Sequence, residues 1–237
     1  MDSIEMEGYA QFMRQYYEKN KDLFHNLSNH QKPHTMIITC SDSRIDPSLI
    51  LNAQPGELFI ARNIGNVVPP YQPSRGSTQA AIEYAVNALE VEKIVVLGHS
   101  NCGACAHVYH EYSENETKLQ HVEEWLKYII PAKGAAMLEA HADHSKNLFE
   151  LTEKYNIITS LQRLLEYPYI QSRLINEKIE IEGWWFNIET GGVEIYNFST
   201  RHFDPVMCNI IAHKEEKRED EVGSVASISR TLHYESS

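Results

Sequence analysis

Long apolar runs are missing from this chain. No stretch approaches the about 20 apolar residues that span a bilayer. The opening residues, Met1 to Gly8, are acidic and mixed, unlike a secretory leader, and no Arg- and Ser-rich transit stretch is present. Cysteine is scarce, four in 237 residues, which excludes a disulfide scaffold. Positive charge is in deficit: 21 Lys and Arg face 33 Asp and Glu, a net charge of -12. Such a chain lacks the basic footprint of a nucleic-acid binder and is repelled by anionic membrane surfaces. The expectation is a cytoplasmic protein with free thiols, no nucleic-acid partner and no membrane partner.

What is present is ordinary in bulk. Hydrophobic residues make up 42% and charged residues 23%, as in globular proteins. The length suffices for one large domain with a sizeable core. Residues 3–30 have helical periodicity with an aromatic stripe of Tyr9, Phe12, Tyr16, Tyr17 and Phe24. That stripe must pack on its own domain or on a partner subunit. Thr35 to Thr39 reads as a strand. Asp46-Pro47 starts a short helix, with Asp46 as cap and Pro47 at the first helical position, and Gln54-Pro55-Gly56 ends it. Glu57 to Ala61 is a second strand, and a loop through Asn63, Gly65, Pro69, Pro70 and Pro73 follows. A helix begins at Gly76-Ser77-Thr78, and Lys93 to Gly98 is a third strand.

Further on, residues 118–166 read as two helices interrupted by Pro131 and Gly134, and a short helix follows Pro168. Lys178 to Ile188 and Val193 to Phe198, joined through Gly191-Gly192, read as an antiparallel hairpin. The expected fold is a single α/β domain. A central, mainly parallel sheet is flanked by helices, with an N-terminal helical arm (1–30), the α/β domain itself (31–213) and a polar tail (214–237) that is mobile or ordered only on a partner. In such sheets chemistry gathers beyond the C-terminal strand ends.

Two motifs sit at those ends. Cys40-Ser41-Asp42-Ser43-Arg44 follows the first strand, and His99-Ser100-Asn101-Cys102-Gly103 follows the third. Two thiolates and one imidazole are three of the four ligands of a zinc shell, and catalytic zinc keeps its fourth position open. Asp42 beside the metal can accept a hydrogen bond, and Arg44 beside Asp42 keeps it ionised. Each residue alone reads as structural; their convergence on one sheet end reads as a metal site. His99, Cys102 and Cys105 step by three, so either thiol suits the spacing. Six residues along a helix, however, turn Cys105 away from His99. Cys105 and Cys208 are read as packing. Histidines 107, 110, 121, 141 and 144 fall on polar segments and are expected on the surface.

With these motifs the chain resembles a β-class carbonic anhydrase. Gln54-Pro55-Gly56-Glu57 and Arg62-Asn63 match that family between the two motifs, and Gly183-Trp184-Trp185 and Thr190-Gly191-Gly192 match more weakly beyond them. The resemblance implies one Zn²⁺ on Cys40, His99 and Cys102, with Asp42 and Arg44 as the catalytic dyad. It implies reversible hydration of carbon dioxide to bicarbonate and a proton by zinc-bound hydroxide. It assigns Gln31 to substrate binding, Phe59, Ile64 and Tyr84 to the apolar cleft, and a backbone N–H to Gly103; Tyr84 equally fits a core role. Ile37 stands where the subtype that closes its site carries Trp, so the chain resembles the open, plant-like subtype. The resemblance further implies a homodimer or higher homo-oligomer with clefts at the subunit interface. Sulfur analogues of carbon dioxide would suit the same site, and a non-catalytic zinc or bicarbonate-binding role would require a fourth protein ligand or loss of Asp42.

Overall fold

The computed structural model describes residues 3–72 and 76–207. Pro73, Cys208 and the polar stretch 214–237 lie outside the described residues. The features below belong to the compact unit Met1–Asp204.

Four strands run parallel. β1 (Thr35–Cys40), β2 (Leu58–Asn63), β3 (Lys93–His99) and β4 (Glu180–Phe186) are joined in the order β2-β1-β3-β4, and the sheet continues through β5 (Val193–Asn197) and β6 (His202–Pro205). β5 pairs antiparallel with β4, as the hairpin reading requires; β6 had no sequence signal strong enough to foretell it. Every residue of β1 is buried, the mark of a parallel strand covered on both faces. Its side chains alternate. Met36 and Ile38 join Ile94 and Val96 in the larger core, while Ile37 joins Val95 and Leu97 in the smaller one.

The helices that fill these layers begin where their caps dictate. Asp46 Oδ1 accepts the Ser48 and Leu49 amides at 3.0 and 3.3 Å, starting α3 (Pro47–Ile50). α4 (Ser77–Asn87) lays Ile82, Ala85 and Val86 into the larger core. α5 (Gly103–His107) follows β3 directly. The segment read as two helices is three: α6 (Gln120–Leu126), α7 (Ile130–Ala142) and α8 (Leu148–Leu164). Pro131 does not interrupt but starts α7, because a first-turn proline forfeits no helical hydrogen bond. Gly134 lies inside that helix. α9 (Pro168–Ile175) completes the layer.

The N-terminal arm comprises α1 (Ile4–Phe12), two tighter or wider turns over Met13–Tyr17 and Glu18–Asn20, and α2 (Lys21–Leu27). Phe12, Tyr16, Tyr17 and Phe24 cluster with ring centroids 4.9–6.2 Å apart. Tyr16 donates to Gln54 Oε1 at 2.7 Å. Ile4, Met6 and Tyr9 stay exposed. Among the described residues no helix is long and apolar enough to cross a membrane.

β4 approaches α8 closely because Gly183 has no side chain: a Cβ there would sit 2.7 Å from both Ile157 Cγ2 and Leu161 Cδ1. Gly183→Ala is therefore expected to cost about 1–3 kcal/mol through overpacking. Gly134→Ala, with nothing within 4 Å of the new methyl, should be neutral or stabilise by up to about 1 kcal/mol. Urea unfolding of the two variants side by side measures the contrast.

Candidate metal centre

Parallel pairing of β1 with β3 sets Thr39 against Leu97. Cys40 and His99 are the last residues of their strands, not residues beyond them, and so come together at one end of the sheet. Beyond His99 the chain turns through Asn101, whose φ of 56° is left-handed, a region asparagine tolerates. This brings Cys102 back beside His99. The ligand atoms of Cys40, His99 and Cys102 all lie within 4.8 Å of one another, and all three residues are buried. Cys105 does not join this group, in line with its expected divergence from His99, although its thiol neighbours Cys102.

These donors suit a metal ion. His99 Nδ1 lies 2.9 Å from the Ser100 carbonyl oxygen, so Nδ1 carries the proton and Nε2 keeps its lone pair. That Nε2 is buried without any hydrogen-bond partner, a costly state unless a cation fills it. The Cys40 thiol is pushed up to about 12 by the adjacent Cys102 thiol and by burial. The Cys102 thiol is raised too, chiefly by its Cys105 neighbour. Packed together without a cation, such thiols resist ionising. Two thiols and an imidazole are a donor set of zinc character.

Asp42 and Arg44 meet beside this cluster. Arg44 Nε and Nη2 donate to the two Asp42 oxygens at 2.9 and 2.7 Å. The guanidinium holds the Asp42 carboxyl well below the usual carboxylate range. Asp42 Oδ2 is 3.9 Å from His99 Nε2. Arg44 Nη2 also donates to the Asn101 carbonyl at 3.0 Å, tying the first motif to the second. Ile64 is 44% exposed, one residue from Gly65, whose N–H donates to Cys40 Sγ at 3.4 Å. Gly103 faces open space: an added Cβ would meet nothing within 4 Å.

The remaining residues lie elsewhere. Gln31 is exposed and lies four residues before β1, beyond the strand end opposite Cys40. Phe59 pairs with Met36 near that same end. Tyr84 packs at a tilt against Phe59 with centroids 6.0 Å apart and is half exposed, which removes it from the core. One chain thus gathers Cys40, Asp42, Arg44, Ile64, His99, Cys102 and Gly103 at one end of the sheet, and leaves Gln31, Phe59 and Tyr84 at the other. β2 forms the sheet edge beside them.

The sequence reading gave no role to two supports. Arg62, at the end of β2, donates to the carbonyls of Cys40, Asp42 and Ile45 at 3.1, 2.7 and 2.7 Å, fixing the loop that carries the dyad. α8 supplies the second. Its buried Glu153 accepts the Cys102 amide at 2.9 Å and the Trp185 indole N–H at 3.1 Å, and burial pushes its carboxyl up to about 7. On the same face Asn156 donates to the Gly65 carbonyl at 2.6 Å, Ser160 to Asn66 at 3.3 Å and Arg163 to Val68 at 3.0 Å. The spacing 153, 156, 160, 163 was the available signal, but polar residues at helical spacing read as a solvent face.

Comparison with known proteins agrees with this geometry. The carbonic anhydrase family profile matches residues 35–193. A carbonic anhydrase of Helicobacter pylori strain J99 is 39% identical over 206 residues, covering 84% of this chain and 92% of its own. One from a Synechocystis species is 40% identical over 192 residues, covering 81% and 70%. Among solved structures, the β-carbonic anhydrase CcaA superposes with a TM-score of 0.78 at 39% identity, covering 86% of this chain and 92% of that one. A β-carbonic anhydrase of the ascomycete Sordaria macrospora, described as tetrameric, superposes at 0.70 with 27% identity, covering 86% and 95%. A profile spanning residues 35–193, relatives near 40% identity and a shared fold lead to one conclusion: the chain belongs to the β-class carbonic anhydrases.

Proposed function

We propose that this protein hydrates carbon dioxide reversibly at a Zn²⁺ ion held by Cys40, His99 and Cys102. The observation that carries this reading is the buried, unpartnered His99 Nε2 facing two thiols, with the Asp42–Arg44 pair alongside. Bound there, Zn²⁺ supplies Lewis acidity that brings the pKa of a water toward neutrality. Asp42, kept ionised by Arg44, accepts a hydrogen bond from the attacking water and fixes the direction of its lone pair. Both Asp42 oxygens are engaged by Arg44, so Asp42 would not itself serve as a metal ligand, which supports the open subtype. Ile64 offers an apolar wall, and the space beside Gly103 leaves room for the substrate near a backbone N–H. Free thiol donors suit a reducing compartment, and the cytoplasm is the proposed one.

Gln31, Phe59 and Tyr84 reach the substrate from a second copy of the chain. They sit at the opposite end of β1 and beside the edge strand β2, so antiparallel docking of two edges brings one chain's Gln31 to the other's Asp42. The amide of Gln31 would then donate to the substrate oxygen that gains charge. Homodimers, or tetramers like those of the Sordaria relative, are the assemblies this reading requires.

Cys40→Ser should abolish both zinc content and turnover, measured by metal analysis and stopped-flow hydration. Asp42→Asn should keep its zinc yet lose about 100-fold or more in kcat/KM. Full activity in either variant would sink the assignment. Arg62→Ala, which frees the loop carrying the dyad, should weaken zinc binding by about 10–100-fold in chelator competition.

Shared sites make a second, independent prediction. Gln31→Ala and Asp42→Asn proteins, each impaired alone, should regain about a quarter of wild-type sites when unfolded together and reassembled as mixed dimers. Absence of any recovery would place Gln31 in the site of its own chain or outside the site altogether.

A further inference from the structure

Hydration releases one proton per turnover, and the groups named so far give that proton no way out of the cleft. α5 offers one. It starts at Gly103, next to Cys102, and ends at His107. Residues four apart share one helix face, and helical side chains lean back toward the N-terminus. The His107 imidazole therefore lies over the turn that begins at Gly103, where no side chain fills the space. His110 continues the same face. Gly103, Ala106, His107 and His110 line one open groove of about 380 Å³. The two imidazole rings stack at 25° with centroids 5.2 Å apart. The inner side chain is 24% exposed and the outer one 37%. We propose that His107, with His110 as its outlet, is the relay that carries the proton from the cleft along this groove to solvent. The relay rests on the hydration reading above and adds the residues that complete its turnover.

The surroundings of the pair fit this task. His107 Nε2 lies 2.8 Å from Glu123 Oε1 and 3.1 Å from the Tyr112 hydroxyl, and Tyr112 donates to the same Glu123 oxygen at 2.8 Å. The tyrosine hydroxyl and the imidazole hold the Glu123 carboxyl below its ordinary range, so it is an anion. A carboxylate can only accept, which puts the hydrogen on Nε2 and the lone pair on Nδ1. Among the described residues no hydrogen bond engages that Nδ1. His110 is set in the same way, with Nε2 2.7 Å from Glu116 Oε1. The balance is simple. Carbon dioxide and water give bicarbonate and one proton; Nδ1 of His107 takes that proton up, and its loss to His110 or to buffer restores the neutral ring. Glu123, Tyr112 and Glu116 are the ionisable groups that face the rings. Lys133 of α7 instead donates to the Val108 carbonyl at 2.7 Å and covers the Tyr109 ring. α6 ties the pair to the cleft. Two residues beyond Glu123, the Trp125 indole N–H donates to the Ile64 carbonyl at 2.7 Å, so one helix grips both the apolar wall and His107.

His107→Gln is the informative variant, because a glutamine amide still donates to Glu123 but cannot carry a proton. Transfer to buffer follows the formation of bicarbonate, so it enters kcat and not kcat/KM. Stopped-flow hydration by zinc-loaded, full-length protein in a dilute, bulky buffer should show kcat lowered about 10-fold or more by His107→Gln, with kcat/KM within about twofold of wild type. His110→Gln should lower kcat by a smaller factor, again with kcat/KM kept; an unchanged kcat there strikes His110 from the relay. Imidazole, small enough to enter the groove, should restore kcat to His107→Gln, whereas a bulky buffer of the same pKa and concentration should not. A second readout needs no turnover: long-range nitrogen–proton NMR of the metal-stripped protein at alkaline pH should show neutral His107 with its hydrogen on Nε2. A hydrogen on Nδ1, an unchanged kcat in His107→Gln, or equal losses of kcat and kcat/KM that imidazole does not restore overturns the relay and leaves hydration standing. A zinc-loaded wild type that does not hydrate carbon dioxide overturns the proposed function and the relay with it, so the two failures are distinct.

Discussion

The parallel pairing of β1 with β3 is the constraint on which the rest depends. Cys40 and His99 lie fifty-nine positions apart in the chain, and only the register Thr39 to Leu97 brings them to one point. A parallel pair cannot be made by a hairpin; it needs a crossover, and β2 and α4 provide it. The crossover also builds the larger core, since Ile82, Ala85 and Val86 of α4 meet Met36, Ile38, Ile94 and Val96. Fold and site are therefore one piece of work: the hydrophobic burial that fixes the strands also delivers the three donors.

Beyond the strand ends, side chains take over much of the work of holding the backbone. Arg62 collects three carbonyls of the loop after β1, Arg44 bridges to Asn101, and α8 holds the loop after β2 together with the Cys102 amide. Loops at a sheet end would otherwise bury unpaired carbonyls and amides, each costing about 1–3 kcal/mol. Polar and charged groups, buried along α8 and exposed at Arg44 and Arg62, remove that cost and stiffen the turns that aim the donors.

Much of this was legible in the sequence. Cys40, Asp42, Arg44, His99 and Cys102 could be read because short apolar strands end at Cys40 and His99, and strand ends of a parallel sheet converge. The hairpin after Glu180 and the caps Asp46 and Pro47 were legible because turn and cap chemistry is local. The resemblance to a family also supplied Gln31, Phe59 and Tyr84, but nothing in their spacing tells which end of the sheet they occupy, because position along a strand is a property of the register. Pro131 misled because proline signals both an interruption and a start, and only its place in the first turn of α7 decides between them. Glu153, Asn156, Ser160 and Arg163 stayed hidden because helical spacing of polar residues is the signature of water, whereas here the solvent is replaced by the loop's own backbone.

That polar ridge of α8 reverses the usual rule of tolerance for a buried helix. Hydrophobic replacements normally keep a core standing, and by that logic Leu or Val in place of Asn156 or Ser160 would appear conservative. Here such a change would preserve the helix and its apolar neighbours Ile157 and Leu161 while stripping partners from the chain that encloses the donors. A core redesigned for greasiness alone would keep the outline of the scaffold around a slack site, and every backbone group it left unpaired would also draw down stability.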